Sequence, residues 1–321
     1  MLSCTEFIPM YSELMKFIDH QGGGKEAVYR YWKYIGGDSV RFNLEPLARE
    51  KGMDGAWEYW TRSLSEEACD IKYVYDREHQ EIRSHMRHCP SKGHLLEYTW
   101  MEPYEHYCDH CTVVYQEALN DNGINMIMDL SCADHAECRG VLHRLDREPG
   151  KNWTTVVDEE TQGPDKWIMD ITAEDNKYLH RDFHVAADGG LRYVAEQYGA
   201  NGVRQFLETF VKAFYQPLFE AYQKDGLKAL MEHQQKLYEA EEMPDVFHAE
   251  LSGDENLTIT IDRCPAVTFM KEHNYTPSRW YIELTRTVST VIADVLDLGF
   301  SLEYYNEKDG ACKYCFFRRS F

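Results

Sequence analysis

Leu257-Thr258-Ile259-Thr260-Ile261-Asp262-Arg263-Cys264-Pro265 is the stretch on which the reading of the chain turns. Leu257, Ile259 and Ile261 alternate with Thr258, Thr260 and Asp262, the period of two that a half-buried strand requires. The Cys-Pro pair ends the alternation. Ile82-Arg83-Ser84-His85-Met86-Arg87-His88-Cys89-Pro90 has the same shape, and its Cys-Pro pair lies 175 residues earlier.

Working outward from these two stretches, further landmarks recur at nearly constant spacing. Asp70 matches Asp245 at an offset of 175, Gly123 matches Gly299 at 176, and Cys138 and Arg144 match Cys312 and Arg318 at 174. Upstream, Gly23 to Trp32 resembles Gly199 to Leu207, and Glu45-Pro46-Leu47 resembles Gln216-Pro217-Leu218. Such a period signals repeated units. The expectation is two diverged tandem copies, 1–145 and 178–321. The stretch 146–177, with Pro149, Gly150, Gly163 and Pro164, reads as a linker.

Each copy begins with helical spacing: Val194, Val203, Phe206, Phe210 and Phe214, then Leu227, Leu230 and Leu237, against Tyr29, Trp32, Trp57, Trp60 and Leu64. After the alternating strand and Cys-Pro, a linking segment leads to a helix expected to open at Pro103 or Pro277. Thr276 would cap the second of these, and Gly123 or Gly299 would close each. Two strands follow, Ile124 to Ser131 with Cys138 to Arg144, and Phe300 to Tyr305 with Cys312 to Arg318. The predicted class is α+β: N-terminal helices, then an antiparallel sheet crossed by one long helix.

Composition restricts the partners. The net charge is −21 over 321 residues, which disfavours nucleic acid and anionic membrane surfaces. No apolar run approaches the ~18 residues of a membrane span, and the first residues lack the basic flank of a signal peptide. A cytoplasmic protein with a small-molecule partner is expected, and self-association is left open. The ten cysteines then suggest metal ligation or reactive thiols rather than disulfides.

Comparing the copies locates the chemistry. Cys108, Cys111, Tyr115 and Leu119 share a helix face; their counterparts are Leu284, Thr287, Val291 and Val295. Gln116 replaces Ile292, Ser84 replaces Ile259, and His88 replaces Arg263. Polar groups on a buried layer require partners, so a polar pocket in the first copy is expected, with Ser84, His88, His106, Tyr115 and Gln116 as binding residues.

Cys89, Cys108, Cys111, Cys132 and Cys138 form a candidate zinc or iron set, since thiolates favour such ions. The alternative is a thiolate nucleophile, Cys108 or Cys111, with its pKa lowered by a helix N-terminus and by His106 or His110. The spacing does not choose between these readings. His180 and His184, four apart with Asp188 beyond, are a further candidate metal clamp.

The block after each Cys-Pro resembles the L-2-amino-thiazoline-4-carboxylic acid hydrolase family: Cys-Pro, a helix with a further Cys, a Gly, and a two-strand ending that closes on Cys312-Lys-Tyr-Cys-Phe-Phe-Arg318. Asp134-His-Ala-Glu-Cys-Arg139 is also similar to the end of 4-vinyl-reductase-type domains, which bind small molecules and in some cases zinc. The resemblance implies ring-opening hydrolysis at an amidine-like carbon and maps the family's cysteines onto Cys89, Cys108 and Cys138. Leu284 then marks the second copy as degenerate, while Cys111 and Cys132 depart from the pattern. The expected function is a hydrolase, or related lyase, acting on a small nitrogen- or sulfur-containing molecule, with Cys108 or Cys111 and His110 catalytic. The alternative is a metal-stabilised small-molecule-binding or sensor module.

Overall fold

Both alternating stretches form strands, and each anchors its own antiparallel sheet. The structure is a computed structural model that describes residues 1–319. Its chain divides into two compact units: an earlier one, Ile18–His180, and a later one made of Met1–Phe17 with Arg181–Phe321. The first helix, α1 (Phe7–Ile18), therefore belongs almost wholly to the later unit.

The earlier unit continues with α2 (Gly24–Ile35), α3 (Arg41–Lys51), α4 (Met53–Glu66), β1 (Asp70–Asp76), β2 (Glu81–His88), α5 (Pro90–Glu97), α6 (His110–Asn120), β3 (Ile124–Asp129), β4 (Cys138–Arg144) and β5 (Lys166–Ile171). Its sheet has the order β3-β4-β2-β1-β5. The later unit has α7 (Phe183–Phe214), α8 (Gln216–Asp225), α9 (Leu227–Ala240), β6 (Phe247–Ser252), β7 (Asn256–Ile261), α10 (Pro265–Glu272), α11 (Glu283–Val295), β8 (Leu298–Tyr305) and β9 (Cys312–Arg318). Its order, read from β8, is β8-β9-β7-β6, the connectivity of the first four strands of the other sheet. The class is α+β, as predicted.

The inner face of each sheet follows from register. Tyr73 pairs with Ser84 and Ser84 with Gly140, while Met86 pairs with Cys138. Trp57 of α4 stacks on Tyr73, centroids 5.3 Å apart, which fixes that face as the helix-covered one. In the later sheet Leu257, Ile259 and Ile261 pair with Phe316, Tyr314 and Cys312, and all six are buried. There α7 bends at Gly199, whose φ of +69° suits only a residue without a Cβ.

Three expectations are corrected. The boundary at 1–145 is displaced because the first helix packs in the later unit: Phe7 stacks on Phe183 at 4.6 Å, and Met10 and Leu14 are fully buried. The linker 146–177 is structural, because it supplies β5 on the free edge of β1 and then covers the sheet's outer face. There Lys72 Nζ donates to the Asp158 and Glu160 carbonyls, both at 2.9 Å, and Arg83 reaches the Glu160 carboxylate at 2.9 Å. The long helices do not open at Pro103 or Pro277 but at His110 and Glu283. It is the Cys-Pro prolines that start helices, α5 and α10, taking N1 where a missing N–H costs nothing.

Candidate functional site

The site grows from the Cys-Pro corner of the earlier unit. Pro90 forces Cys89 to be extended (φ −71°, ψ 123°) and then begins α5. As N-cap, the Cys89 thiol accepts the Lys92 backbone N–H at 3.4 Å. The Cys89 N–H donates to the Ala136 carbonyl at 2.7 Å, tying the corner to the turn that launches β4 and Cys138. On the opposite side a single 3₁₀ turn, Tyr107–Asp109, carries Cys108, and α6 starts with His110 and Cys111.

These connections make Cys89, Cys108, Cys111 and Cys138 mutual electrostatic neighbours. Burial first, and then repulsion among would-be thiolates, pushes the Cys89, Cys108 and Cys138 thiols upward, Cys108 to about 12. Burial followed by Glu67 drives Cys111 to about 12. The expected lowering of the Cys108 pKa is therefore reversed. A short helix start cannot offset the loss of water, and Lys92 is the cation that opposes the rise.

Structure separates Cys108 from Cys111 where spacing did not. His110 Nδ1 lies against the Tyr107 carbonyl. A carbonyl only accepts, so Nδ1 carries the proton and Nε2 is left as acceptor. Nε2 lies 3.7 Å from Cys111 Sγ, within hydrogen-bond reach for sulfur. Burial holds the imidazole below its usual pKa, hence neutral. Glu67 is a charged neighbour of both His110 and Cys111. Its own pKa is raised by burial, against the pull of His180 and His110, and Ser91 Oγ lies 3.5 Å away. The arrangement is a thiol, an acceptor nitrogen and an orienting carbonyl, the order of parts that activates a cysteine.

The other predicted binding residues divide. Tyr115 stays at the site: it packs edge-on to Trp60 at 5.2 Å and has Glu67 and Cys111 among its electrostatic neighbours. Ser84 lies on the inner face, its hydroxyl 3.4 Å from the Gly140 carbonyl. His88 is exposed, its ring filling the space a Cβ on Gly93 would need. Gln116 is committed to Asn120 and Asn125, at 2.7 and 3.0 Å. His106 pairs loosely with Asp109 at 3.8 Å. Cys132 sits beside the Ser131 hydroxyl at 3.9 Å.

Two residues escaped the sequence reading. Glu67 caps α4 just before left-handed Ala68, as Glu241 caps α9 before left-handed Glu242. Lys92, buried, stands where α10 buries Val267. That second swap was visible at the same 175-residue offset.

The expected metal sets do not close. Among the described residues, no group of three or more His, Cys, Asp or Glu side chains is placed to hold an ion. His180 and His184 do not converge either: His180 pairs with Glu66 at 2.8 Å, His184 with Glu241 at 3.2 Å, and Asp188 accepts from Ser278 and Tyr275. No helix among the described residues is long and apolar enough to cross a membrane. No protein-family model, no curated protein and no solved structure matches the chain.

Proposed function

We propose that the earlier unit hydrolyses a small nitrogen- or sulfur-containing molecule at an amidine- or amide-like carbon, with Cys111 as nucleophile and His110 as base. The observation that carries this reading is the 3.7 Å approach of His110 Nε2 to Cys111 Sγ, with the ring's other nitrogen committed to a carbonyl.

A thiol with a pKa near 12 supplies almost no thiolate at neutral pH, so attack must be concerted with proton transfer. As Sγ adds to the carbon, its proton passes to Nε2. The imidazolium then returns that proton to the departing nitrogen or sulfur as its bond to the carbon breaks. Water, deprotonated by the same Nε2, completes the hydrolysis and frees the thiol. Glu67 stabilises the transient imidazolium, as the carboxylate does in a catalytic triad. The resemblance to the aminothiazoline-carboxylate hydrolases supports the choice of an amidine-like carbon.

The test uses 2-aminothiazoline-4-carboxylate, with loss of the ring followed by liquid chromatography. Cys111→Ala and His110→Ala should each lose about 10²- to 10⁴-fold in kcat, while Cys108→Ala retains most of the rate. Full activity in Cys111→Ala would overturn the assignment.

A metal-stabilised binding module is the second reading, favoured by the four thiols that repel one another as thiolates. Elemental analysis of protein prepared without chelator separates the two. The dyad reading expects well under one equivalent of zinc or iron; a full equivalent would transfer the cysteines to a metal.

A further inference from the structure

The outer face of the earlier sheet holds a cleft of about 350 Å³, lined from β1, β2, β4 and the turn that follows β4. Two carboxylates lie at its base. Asp76 and Glu81 face each other across β1 and β2, 9% and 7% exposed. Like charges directly opposite on neighbouring strands repel, and burial adds to the cost. The Arg83 guanidinium, also buried, offsets this only in part. Its close contact is to Glu160, at 2.9 Å; Glu81 and Asp76 lie 3.4 and 3.7 Å away, and Arg83 Nε makes no hydrogen bond. Asp76 also has His79 at 3.0 Å, whereas Glu81 is otherwise met by the Gly150 N–H at 2.7 Å. At the mouth, beside Glu148, stand Arg144 and Arg147. His143 Nδ1 donates to both their backbone carbonyls, at 2.9 and 2.8 Å. Arg144 meets Asp146 loosely at 3.5 Å, and the exposed Arg147 guanidinium has no carboxylate partner among the described residues. The later sheet has Ser252, Asn256, Thr258 and Phe317 at the same register, so the architecture does not require these charges.

An acidic base and a basic mouth in one cleft match a molecule that carries both charges. We infer that the cleft binds a small zwitterion, its ammonium group at Asp76 and Glu81 and its anionic group at Arg144 and Arg147. The ammonium supplies the counter-charge that Glu81 lacks, with donors that a carboxylate pair accepts. An organic cation is meant, because no group of three or more His, Cys, Asp or Glu side chains among the described residues is placed to hold a metal ion. The volume lies in the range of small-molecule sites. The inference does not depend on the Cys111–His110 reading, since Glu81 and Arg83 point to the face of β2 opposite Ser84.

Isothermal titration calorimetry on the full chain tests this. The probes are glycine, β-alanine and 4-aminobutyrate, in which the two charges move progressively apart, with butylamine and butyrate as single-charge controls. One member of the series should bind about tenfold more tightly than either control, the worth of one added charge-assisted contact. Glu81→Gln keeps an acceptor for the Gly150 N–H. It should weaken that zwitterion and butylamine about tenfold and leave butyrate unchanged. Arg147→Ala, an exposed substitution, should weaken the zwitterion and butyrate but not butylamine, by less because water screens the contact. It carries the test should Glu81→Gln fold poorly. Cys111→Ala should bind as the native chain does. A series in which no member binds more tightly than the controls would overturn the inference. So would binding that neither Glu81→Gln nor Arg147→Ala weakens, or binding lost in Cys111→Ala, which would assign the ligand to the cysteine corner.

Discussion

Behind its Cys-Pro corner the later unit is closed with hydrocarbon: Val267, Leu284 and Ile259 are 2% exposed or less. Thr287 satisfies its hydroxyl on Glu283. The earlier unit puts Lys92, Cys108, Ser84 and Cys111 at the matching places. The carboxylates make the same contrast. Glu241 is fully buried, and against that burial His184 and the Cys4 N–H hold it down at about 2, a settled anion. Glu67 is half-buried and its pKa is pushed up. One corner is finished as a core. The other buries titratable groups, with Cys108 and Cys111 raised to about 12 and Glu67 pushed up, and such a gathering of perturbed groups marks a candidate site.

The sharpest way to break the comparison is to give the earlier corner the later one's residues. The triple variant Lys92→Val, Cys108→Leu, Cys111→Thr should lose hydrolysis by about 10³-fold or more. It should still unfold in one cooperative transition in urea, monitored by circular dichroism. Each replacement exchanges a polar group for the residue that the later unit has at the matching place, so the urea midpoint should not fall. A variant that lost its fold along with its activity would show these groups to be structural.

The outer faces of the sheets differ just as clearly. In the earlier sheet Arg83, Glu81, Asp76 and His85 are all 9% exposed or less beneath residues 146–165, and Arg83 ties Asp76, Glu81 and Glu160 together. In the later sheet the same face is open, and Lys313 meets Glu303 in water. Arg83→Met should therefore cost about 3–5 kcal/mol, because it leaves buried carboxylates without a counter-charge. Lys313→Ala should leave the urea midpoint unchanged. Equal effects would mean that the covering segment excludes little water.

The strands were legible because a period of two puts alternate side chains on opposite faces, as extended backbone does and a helix does not. Two copies of the pattern also constrained each other. Residues 166–171 escaped for a local reason. Trp167, Ile168 and Met169 form a run too short to stand against Gly163-Pro164, and its strand character comes from β1, against which it pairs. The helix α5 escaped because Pro-Ser-Lys-Gly-His has no apolar period; its start is made by proline geometry and a thiol cap. At the site, the convergence of Cys89, Cys108 and Cys138 followed from their places at strand ends and a helix start. The approach of His110 to Cys111 did not. It depends on α6 beginning at His110 instead of Pro103, and on which way the imidazole turns, and neither is encoded in residue spacing.

The smallest effect concerns pH, and its sign follows from the raised thiols. Cys108 and Cys111 keep their protons in the folded chain up to about 12, against a reference near 9. Below pH 9 both folded and unfolded chains hold the protons, and the thiols leave stability independent of pH. Above it the unfolded chain ionises first, so stability declines as pH rises from 9 towards 12, by up to about 1.4 kcal/mol per thiol per unit. His110 acts in the opposite direction: with its folded pKa lowered, stability declines as pH falls below its usual 6.5. Urea midpoints at pH 8 and pH 10 should differ for the native chain, and the difference should shrink in the Cys108→Leu, Cys111→Thr background. The later unit's own buried thiols, Cys4, Cys264 and Cys312, stay in both proteins and raise the alkaline slope equally. Only the part of the slope removed by the two substitutions reports on the earlier corner. An unchanged slope would mean that those two thiols are in contact with water.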